Sequence, residues 1–127
     1  MKKITNQQEK NKETAKKLLD AAFNKKKPEV AAQYVTDKYI QHNPQVPTGK
    51  EGLIAALPAF YQAIPTLKWQ LKHIYADGDY VIVHSMYNFG KENAVIDIFR
   101  FKGDKIDEHW DVAQEIPAKI AHNNTMF

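Results

Sequence analysis

The chain has 127 residues, of which 43% are hydrophobic and 26% charged, the balance of a single globular domain. The formal net charge of +3 is too small to argue for nucleic acid, and the lack of cysteine excludes disulfides, thiolate nucleophiles and zinc–thiolate sites. With no membrane-length apolar stretch and no signal-peptide pattern, we expect one cytoplasmic domain over 1–127, whose ends at 1–5 and about 117–127 could be mobile. We expect neither nucleic acid nor a membrane as a partner.

The N-terminal segment has the spacing of helices. Thr5 and Gln8 could form a capping box, and apolar residues then recur at helical spacing as far as Phe23. Pro28 suits the first turn of a short second helix that continues to Tyr34.

A polar hexapeptide, YIQHNP at residues 39–44, follows the second predicted helix. Its closing proline favours a loop. A third helix is predicted from about Lys50 to Ala63, and Pro58 inside it should kink or divide the helix.

The second half of the chain changes to the alternating pattern of strands. Turn signals stand at Asp77-Gly78, at Gly90 and at Gly103. The four predicted strands have the sequences LKWQLKHIYADG, DYVIVHSMYNFG, AVIDIFRF and KIDEHWDVAQE. Helices followed by a meander predict an α+β fold, a cone-shaped curved antiparallel sheet with the N-terminal helices packed on its concave face and a cavity between them.

Asp97 is the most informative polar residue because it lies among apolar residues in the strand AVIDIFRF. Burial disfavours a charged carboxylate, which makes such a group a candidate general acid or base. A purely structural carboxylate paired with a neighbouring donor is the alternative interpretation. Arg100 is not expected to be that donor, since it should point to the opposite face, where it could pair with Asp111.

His84 has a similar setting in VIVHSMY, and it could polarise a carbonyl or relay a proton opposite Asp97. Strand alternation places Glu108 and Trp110 together, and we expect both to line the cavity. His109 is expected at the surface. His42, His84, Asp97 and Glu108 could in principle ligate a metal, but they lack the spacing of a metal motif, so neither a metal nor a cofactor is predicted.

Several motifs together resemble the SnoaL-like polyketide cyclase family of the nuclear transport factor two-like superfamily. They are YIQHNP, the Gly49-x-x-Gly52 helix start, the GDYVIVH strand, and IDIFRF followed by GDKIDEHWDV; the resemblance runs from about Leu18 to Gln114. It implies a cone-shaped α+β barrel, commonly dimerised through the outer sheet face, and an intramolecular aldol condensation that needs no cofactor. It also implies that Asp97 is the acid/base residue, that His84 is the histidine of the preceding strand, and that His42 lies at the pocket.

We therefore expect an enzyme of the cyclase, isomerase or lyase type that removes a proton next to a carbonyl of a small, apolar or carbonyl-containing molecule. The predicted catalytic residues are Asp97, His84 and His42, and the predicted substrate-binding residues are Tyr39, Phe60, Tyr80, Met86, Phe99, Glu108 and Trp110. A homodimer through the outer sheet face is expected. Two alternatives stay open at this point: a dimeric ligand-binding domain without catalysis, and a hydrolase or dehydratase of the same fold.

Overall fold

A computed structural model describes residues 3–127, over which the chain forms three helices and five strands. In chain order these are α1 (Asn6–Phe23), α2 (Pro28–Ala32), β1 (Val35–Gln41), α3 (Lys50–Ala63), β2 (Lys68–Asp77), β3 (Tyr80–Asn88), β4 (Glu92–Lys102) and β5 (Lys105–Glu115).

The strands form one curved mixed sheet in the order β1-β5-β4-β3-β2. The four predicted strands are β2–β5, an antiparallel meander, and the hairpin between β2 and β3 turns at Gly78, which adopts φ +56°. β1 adds a fifth strand, which pairs in parallel with β5. The sequence prediction of helix up to Tyr34 and of a loop from residue 39 is wrong, because α2 ends at Ala32 and the strand continues through Gln41.

The helices cover the concave face of the sheet, as predicted. α1 begins with the expected capping box, in which the Thr5 side chain accepts from the Gln8 backbone N–H while the Gln8 side chain accepts from the Thr5 backbone N–H. Its apolar stripe, which includes Leu18 and Leu19, packs into a core shared with Val83 and Phe99. α3 continues through Pro58 as one helix, so the proline does not divide it.

Among residues 3–127, the segments before α1 and after β5 carry no further helix or strand. Residues 1–2 of the predicted N-terminal tail lie outside the described range, and Thr5 is the cap of α1. Beyond Glu115 the chain continues to Phe127 without regular secondary structure. Among residues 3–127 the helices fall short of the length and apolar character needed to cross a membrane.

Candidate active site

A cavity of about 340 Å³ lies between the concave face of the sheet and the helices. Its size is at the lower end of the range for small-molecule sites. Apolar side chains from α1, α3 and the sheet form most of its wall, including Leu19, Phe23, Leu57, Phe60, Val95 and Phe99. Polar side chains enter it from β1, the loop after β1, and strands β3, β4 and β5; among them are Tyr39, Gln41, Asn43, Tyr87, Asp97, His109 and Asp111.

Asp97 is the centre of this polar group and is only 2% exposed. Its Oδ2 accepts a hydrogen bond from the Tyr87 hydroxyl at 2.6 Å, and its Oδ1 lies 2.7 Å from Nε2 of His109. Burial, followed by the neighbouring Asp97 charge, raises the pKa of Tyr87 well above its ordinary value. The Tyr87 hydroxyl therefore keeps its proton and remains a donor to the carboxylate.

His109 stands between the carboxylate and the amide of Gln41. Its Nδ1 lies 2.8 Å from Gln41 Oε1, and its ring is stacked on Phe99 with centroids 4.7 Å apart. The parallel pairing of β1 with β5 places Gln41 directly beside His109, which explains why residues so distant in sequence meet here. Both ring nitrogens are thus held by hydrogen bonds, and one of them contacts Asp97.

Asp111 extends the polar group toward the loop after β1. Asn43 Nδ2 donates to both of its carboxylate oxygens, at 3.0 and 2.9 Å. Asp111 Oδ2 lies 3.7 Å from His109 Nε2, so the imidazole faces two carboxylates.

Tyr39 is a further buried hydroxyl at the cavity. Gln41 Nε2 donates to its oxygen at 3.1 Å. Burial raises the pKa of Tyr39 far above its ordinary value, and the charges of Asp97 and then Asp111 add to the effect. The phenol therefore stays protonated.

The structure places four of the predicted residues at the cavity wall: Asp97, Tyr39, Phe60 and Phe99. The prediction that His84, Tyr80 and Met86 face it is wrong. Asp97 pairs with Val83 on the neighbouring strand, so Val83, Ser85 and Tyr87 are the residues of β3 that face the cavity. Tyr80, His84 and Met86 alternate with them and lie on the outer face of the sheet. There His84 approaches His73 and Phe127, with ring centroids 5.7 and 5.2 Å apart.

The prediction that Glu108 and Trp110 line the cavity is also wrong, and a β-bulge is the reason. Arg100 pairs with Glu108, but the next residue of β4, Phe101, pairs with Ile106, so Asp107 is an extra residue in β5. Ile106 therefore points inward before the bulge, and His109, not Glu108, points inward after it. The expectation that His109 lies at the surface fails for the same reason, since His109 is only 7% exposed.

His42 likewise lies outside the cavity, contrary to the prediction. Tyr39, Gln41 and Asn43 line the cavity, whereas His42 projects away from it with 42% of its side chain exposed. It stacks on Trp110 at 4.8 Å between centroids, and its Nε2 lies 2.7 Å from Glu108 Oε2.

Glu108 completes an ion-pair network on the outer face. It accepts from Arg100 Nε at 3.0 Å, and the hydrogen bond from His42, followed by the one from Arg100, holds the pKa of Glu108 below its ordinary range. Arg100 also donates to Asp107 at 2.8 Å, so the predicted pair of Arg100 with Asp111 is wrong; Arg100 does not reach Asp97, as expected.

Sequence reasoning missed His109, Asp111, Tyr87, Gln41 and Asn43. A signal for Tyr87 was present in the turn at Gly90. Pairing residues at equal distances on the two sides of this turn places Asp97 opposite Val83. Tyr87 is four residues after Val83, so its side chain points to the same face of the sheet as Asp97. For His109 the signal was the adjacent polar pair Asp107-Glu108, which interrupts the alternation of β5.

Asp97, His109 and Asp111 are also the residues whose spacing would suit a metal ion, since one ligand atom of each lies within 4.8 Å of the others. Carboxylates and an imidazole would suit several divalent cations. The 2.7 Å separation of His109 Nε2 and Asp97 Oδ1 is that of a direct hydrogen bond. The contact between His109 and Asp97 therefore suits a shared proton.

The fold and the site together define a class of small α+β proteins in which a curved sheet and its helices enclose a ligand cavity. A family model described as a SnoaL-like domain matches residues 15–109. The chain therefore belongs to the SnoaL-like domain family, as its motifs indicate.

Solved structures support the same assignment of the fold. A protein of the cystatin fold from Novosphingobium aromaticivorans, described as uncharacterised, has a TM-score of 0.74 and 25% identity, over 80% of this chain and 97% of that one. A candidate SnoaL-like polyketide cyclase from Jannaschia sp. CCS1 has a TM-score of 0.75 and 18% identity, over 89% and 91% of the two chains. A candidate polyketide cyclase from Bacillus cereus ATCC 10987 has a TM-score of 0.70 and 24% identity, over 82% and 74%. No curated protein sequence matches the chain.

Proposed function

We propose that the protein is an enzyme that removes and returns a proton on a carbon next to a carbonyl, without a cofactor. The observation that carries the proposal is the hydrogen-bonded pair of Asp97 and His109, 2.7 Å apart at the wall of a largely apolar cavity. A buried carboxylate beside an imidazole can take a proton from a weak carbon acid and give it back, and a water-poor cavity protects the resulting enolate.

Each polar residue then has a defined role. Asp97 accepts the proton as the C–H bond breaks, and the electron pair moves to the carbonyl oxygen as the enolate forms. The protonated phenol of Tyr39, whose own hydrogen is not donated within the network of described residues, is the group proposed to stabilise that oxygen. Asn43 holds Asp111 in place, while Tyr87 holds Asp97.

The proposed substrates are compact carbonyl compounds. A cavity of about 340 Å³ suits a molecule of one or two rings better than a long or many-ringed one. Aldol cyclisation and isomerisation both begin with loss of a proton next to a carbonyl, so this first step is the one to test.

Deuterium exchange tests it without knowledge of the product. Monocyclic and bicyclic ketones are incubated with the protein in D₂O, and loss of the signal of the hydrogen next to the carbonyl is followed by proton NMR. We expect exchange with at least one compound, and Asp97→Asn should slow it about 100-fold, in the range of general acid–base effects.

Asp97→Asn is expected to fold, because an amide can still accept from Tyr87 and donate to His109. Asp107→Asn is the matched control, since Asp107 contacts Thr36 and Arg100 outside the cavity, and it should leave exchange unchanged. Unchanged exchange in Asp97→Asn would place the base elsewhere. Compounds that bind in the cavity and never exchange would favour the alternative of a ligand-binding domain without catalysis.

A hydrolase or dehydratase is the second candidate, and the position of Asp111 favours it. Two carboxylates face His109 Nε2 at 2.7 and 3.7 Å, an arrangement that could hold and activate a water molecule. Under this alternative Asp111→Asn would abolish turnover, whereas in the proposed function it should reduce the rate only moderately.

We also propose that the protein is a homodimer in the cytoplasm, with the outer sheet face as the interface. This face carries exposed apolar side chains such as Tyr80 and Val112, which are 41% and 71% exposed. Ile96 and Ile98 lie beside Val112 and Trp110 on the same face. Exposed apolar side chains grouped on one sheet face are typical of an interface.

A further inference from the structure

We infer that Gln41 fixes the tautomer of His109, so that Nδ1 always carries a proton and a single proton is shared between Nε2 and Asp97. The importance of this tautomer for turnover rests on the proposed function, whereas the positions of the protons follow from the hydrogen bonds alone. Gln41 would be a positioning residue, because its amide is held by His109 and Tyr39 and acts on a ligand through them.

The orientation of the Gln41 amide is the first step. The backbone N–H of Asn43 donates to Gln41 Oε1 at 3.0 Å, and a backbone N–H can only donate. Gln41 Nε2 meanwhile donates to the Tyr39 hydroxyl oxygen at 3.1 Å. Turning the amide over would point its NH₂ group at the N–H of Asn43, two donors facing each other, so the oxygen is held toward His109.

The position of the ring proton follows from that oxygen. Gln41 Oε1 lies 2.8 Å from His109 Nδ1, and a carbonyl oxygen can only accept, so Nδ1 must carry the hydrogen. A neutral ring with its hydrogen on Nε2 would leave two acceptors in contact at Nδ1.

The opposite side of the ring then holds the shared proton. With Nδ1 protonated, the 2.7 Å contact between His109 Nε2 and Asp97 Oδ1 contains one proton, either on the ring or on the carboxyl group. In the first case the pair is an imidazolium and a carboxylate, and in the second it is a neutral imidazole and a carboxylic acid. Tyr87 donates to the other carboxylate oxygen in both cases, so moving the proton breaks no hydrogen bond. In the imidazolium form, the carboxylate of Asp97 can still accept a proton from a substrate, and it then returns that proton to the product.

Nitrogen-15 NMR of histidine-labelled protein reads the ring protonation directly, with no substrate present. We expect Nδ1 of His109 to be protonated in the unmodified protein, and a His109→Gln variant assigns its signals. In Gln41→Met, which keeps the length of the side chain but lacks the acceptor, Nδ1 should lose its proton to solvent in a substantial fraction of molecules, leaving the single ring hydrogen on Nε2 beside the Asp97 carboxylate. In Gln41→Glu, which keeps an acceptor oxygen, Nδ1 should stay protonated. The His84 signals on the outer face serve as an internal control and should not change.

An unprotonated Nδ1 in the unmodified protein would overturn the inference, as would an unchanged ring in Gln41→Met. If a carbonyl compound that exchanges is found, Gln41→Met should slow exchange about tenfold or more and Gln41→Glu should restore much of the rate. Lack of exchange by the unmodified protein would contradict only the proposed function, since the NMR result decides the tautomer separately.

Discussion

At the scale of single residues, the site depends on hydrogen bonds between polar side chains that are buried in a largely apolar cavity wall. Asp97, which is almost fully buried, has a hydrogen-bond partner at each carboxylate oxygen. Among the described residues, every buried side-chain nitrogen and oxygen has a partner. A buried group left without one would cost free energy, so the network holds its members in fixed positions.

Removing the Tyr87 hydroxyl should affect both stability and activity. Tyr87→Phe leaves Asp97 Oδ2 without its donor, which should lower the free energy of unfolding by about 1–3 kcal/mol. Loss of that donor also leaves the Asp97 carboxylate without the hydrogen bond that fixes its orientation, so deuterium exchange should slow. Urea denaturation and the exchange assay measure the two effects.

Tyr61→Phe is the matched control, because the Tyr61 hydroxyl donates to the Ala22 carbonyl and not to Asp97. It should lose stability while exchange continues at the unmodified rate. A Tyr87→Phe protein as active as the Tyr61→Phe protein would show that the hydroxyl has only a structural role.

Asp97 could be recognised from sequence more readily than its partner His109, whose signal was the interrupted alternation at Asp107-Glu108. A lone carboxylate among Val95, Ile96, Ile98 and Phe99 is unusual enough to be noticed. His109 stands in the charged stretch DEHWD, where a histidine ordinarily lies at the surface. Its burial depends on the bulge at Asp107, which is a property of strand pairing.

At the scale of elements, the approach of α3 to the loop after β1 positions one wall of the cavity. A Cβ added to Gly52 would lie 2.4 Å from the Pro47 carbonyl oxygen. Only glycine permits this contact, which brings the helix against the loop that supplies Asn43 and Val46 to the cavity.

Gly52→Ala should therefore destabilise the protein, although alanine is the better helix former. Helix propensity alone would raise the stability by about 1 kcal/mol, while overpacking against backbone costs about 1–3 kcal/mol. We expect a net decrease in the urea midpoint. Ala55→Gly, at an exposed position of the same helix, measures the difference in helix propensity between alanine and glycine without overpacking. If Gly52→Ala were more stable than the unmodified protein, the loop after β1 would have to move away from α3 at no cost in free energy.

The periodic elements were predictable, and the irregular ones were not. Alternation in β3 and β4 and the apolar stripe of α1 give the types of these elements directly, since each buries one face. β1, with the sequence VTDKYIQ, lacks such a pattern, because it is an edge strand whose place depends on parallel pairing with β5 about 70 residues later.

At the scale of the whole molecule, the two faces of the sheet have different properties. The concave face holds the cavity and its polar group, and the outer face holds exposed apolar and aromatic side chains beside an ion-pair network. Helices on one face of a meander were predictable from the order of elements, but the face of His109 depended on the bulge in β5.

A dimer through the outer face should be separable from the cavity chemistry. Val112→Glu places a charge at the most exposed large apolar residue of this face and should shift the protein toward monomers in sedimentation velocity experiments, with little effect on deuterium exchange. Ile4→Glu, at another exposed apolar residue off the sheet, should leave the association unchanged. A monomeric unmodified protein, or dimers unaffected by Val112→Glu, would refute this interface.

Asp97 and His109 are proposed to act as one acid–base unit, and a double-mutant cycle in the deuterium exchange assay separates this from two independent roles. Residues that act as a unit give non-additive losses. We predict that Asp97→Asn and His109→Gln each slow exchange nearly as much as the double variant does. Losses that multiply in the double variant, or exchange by Asp97→Asn as fast as that of the unmodified protein, would contradict the account.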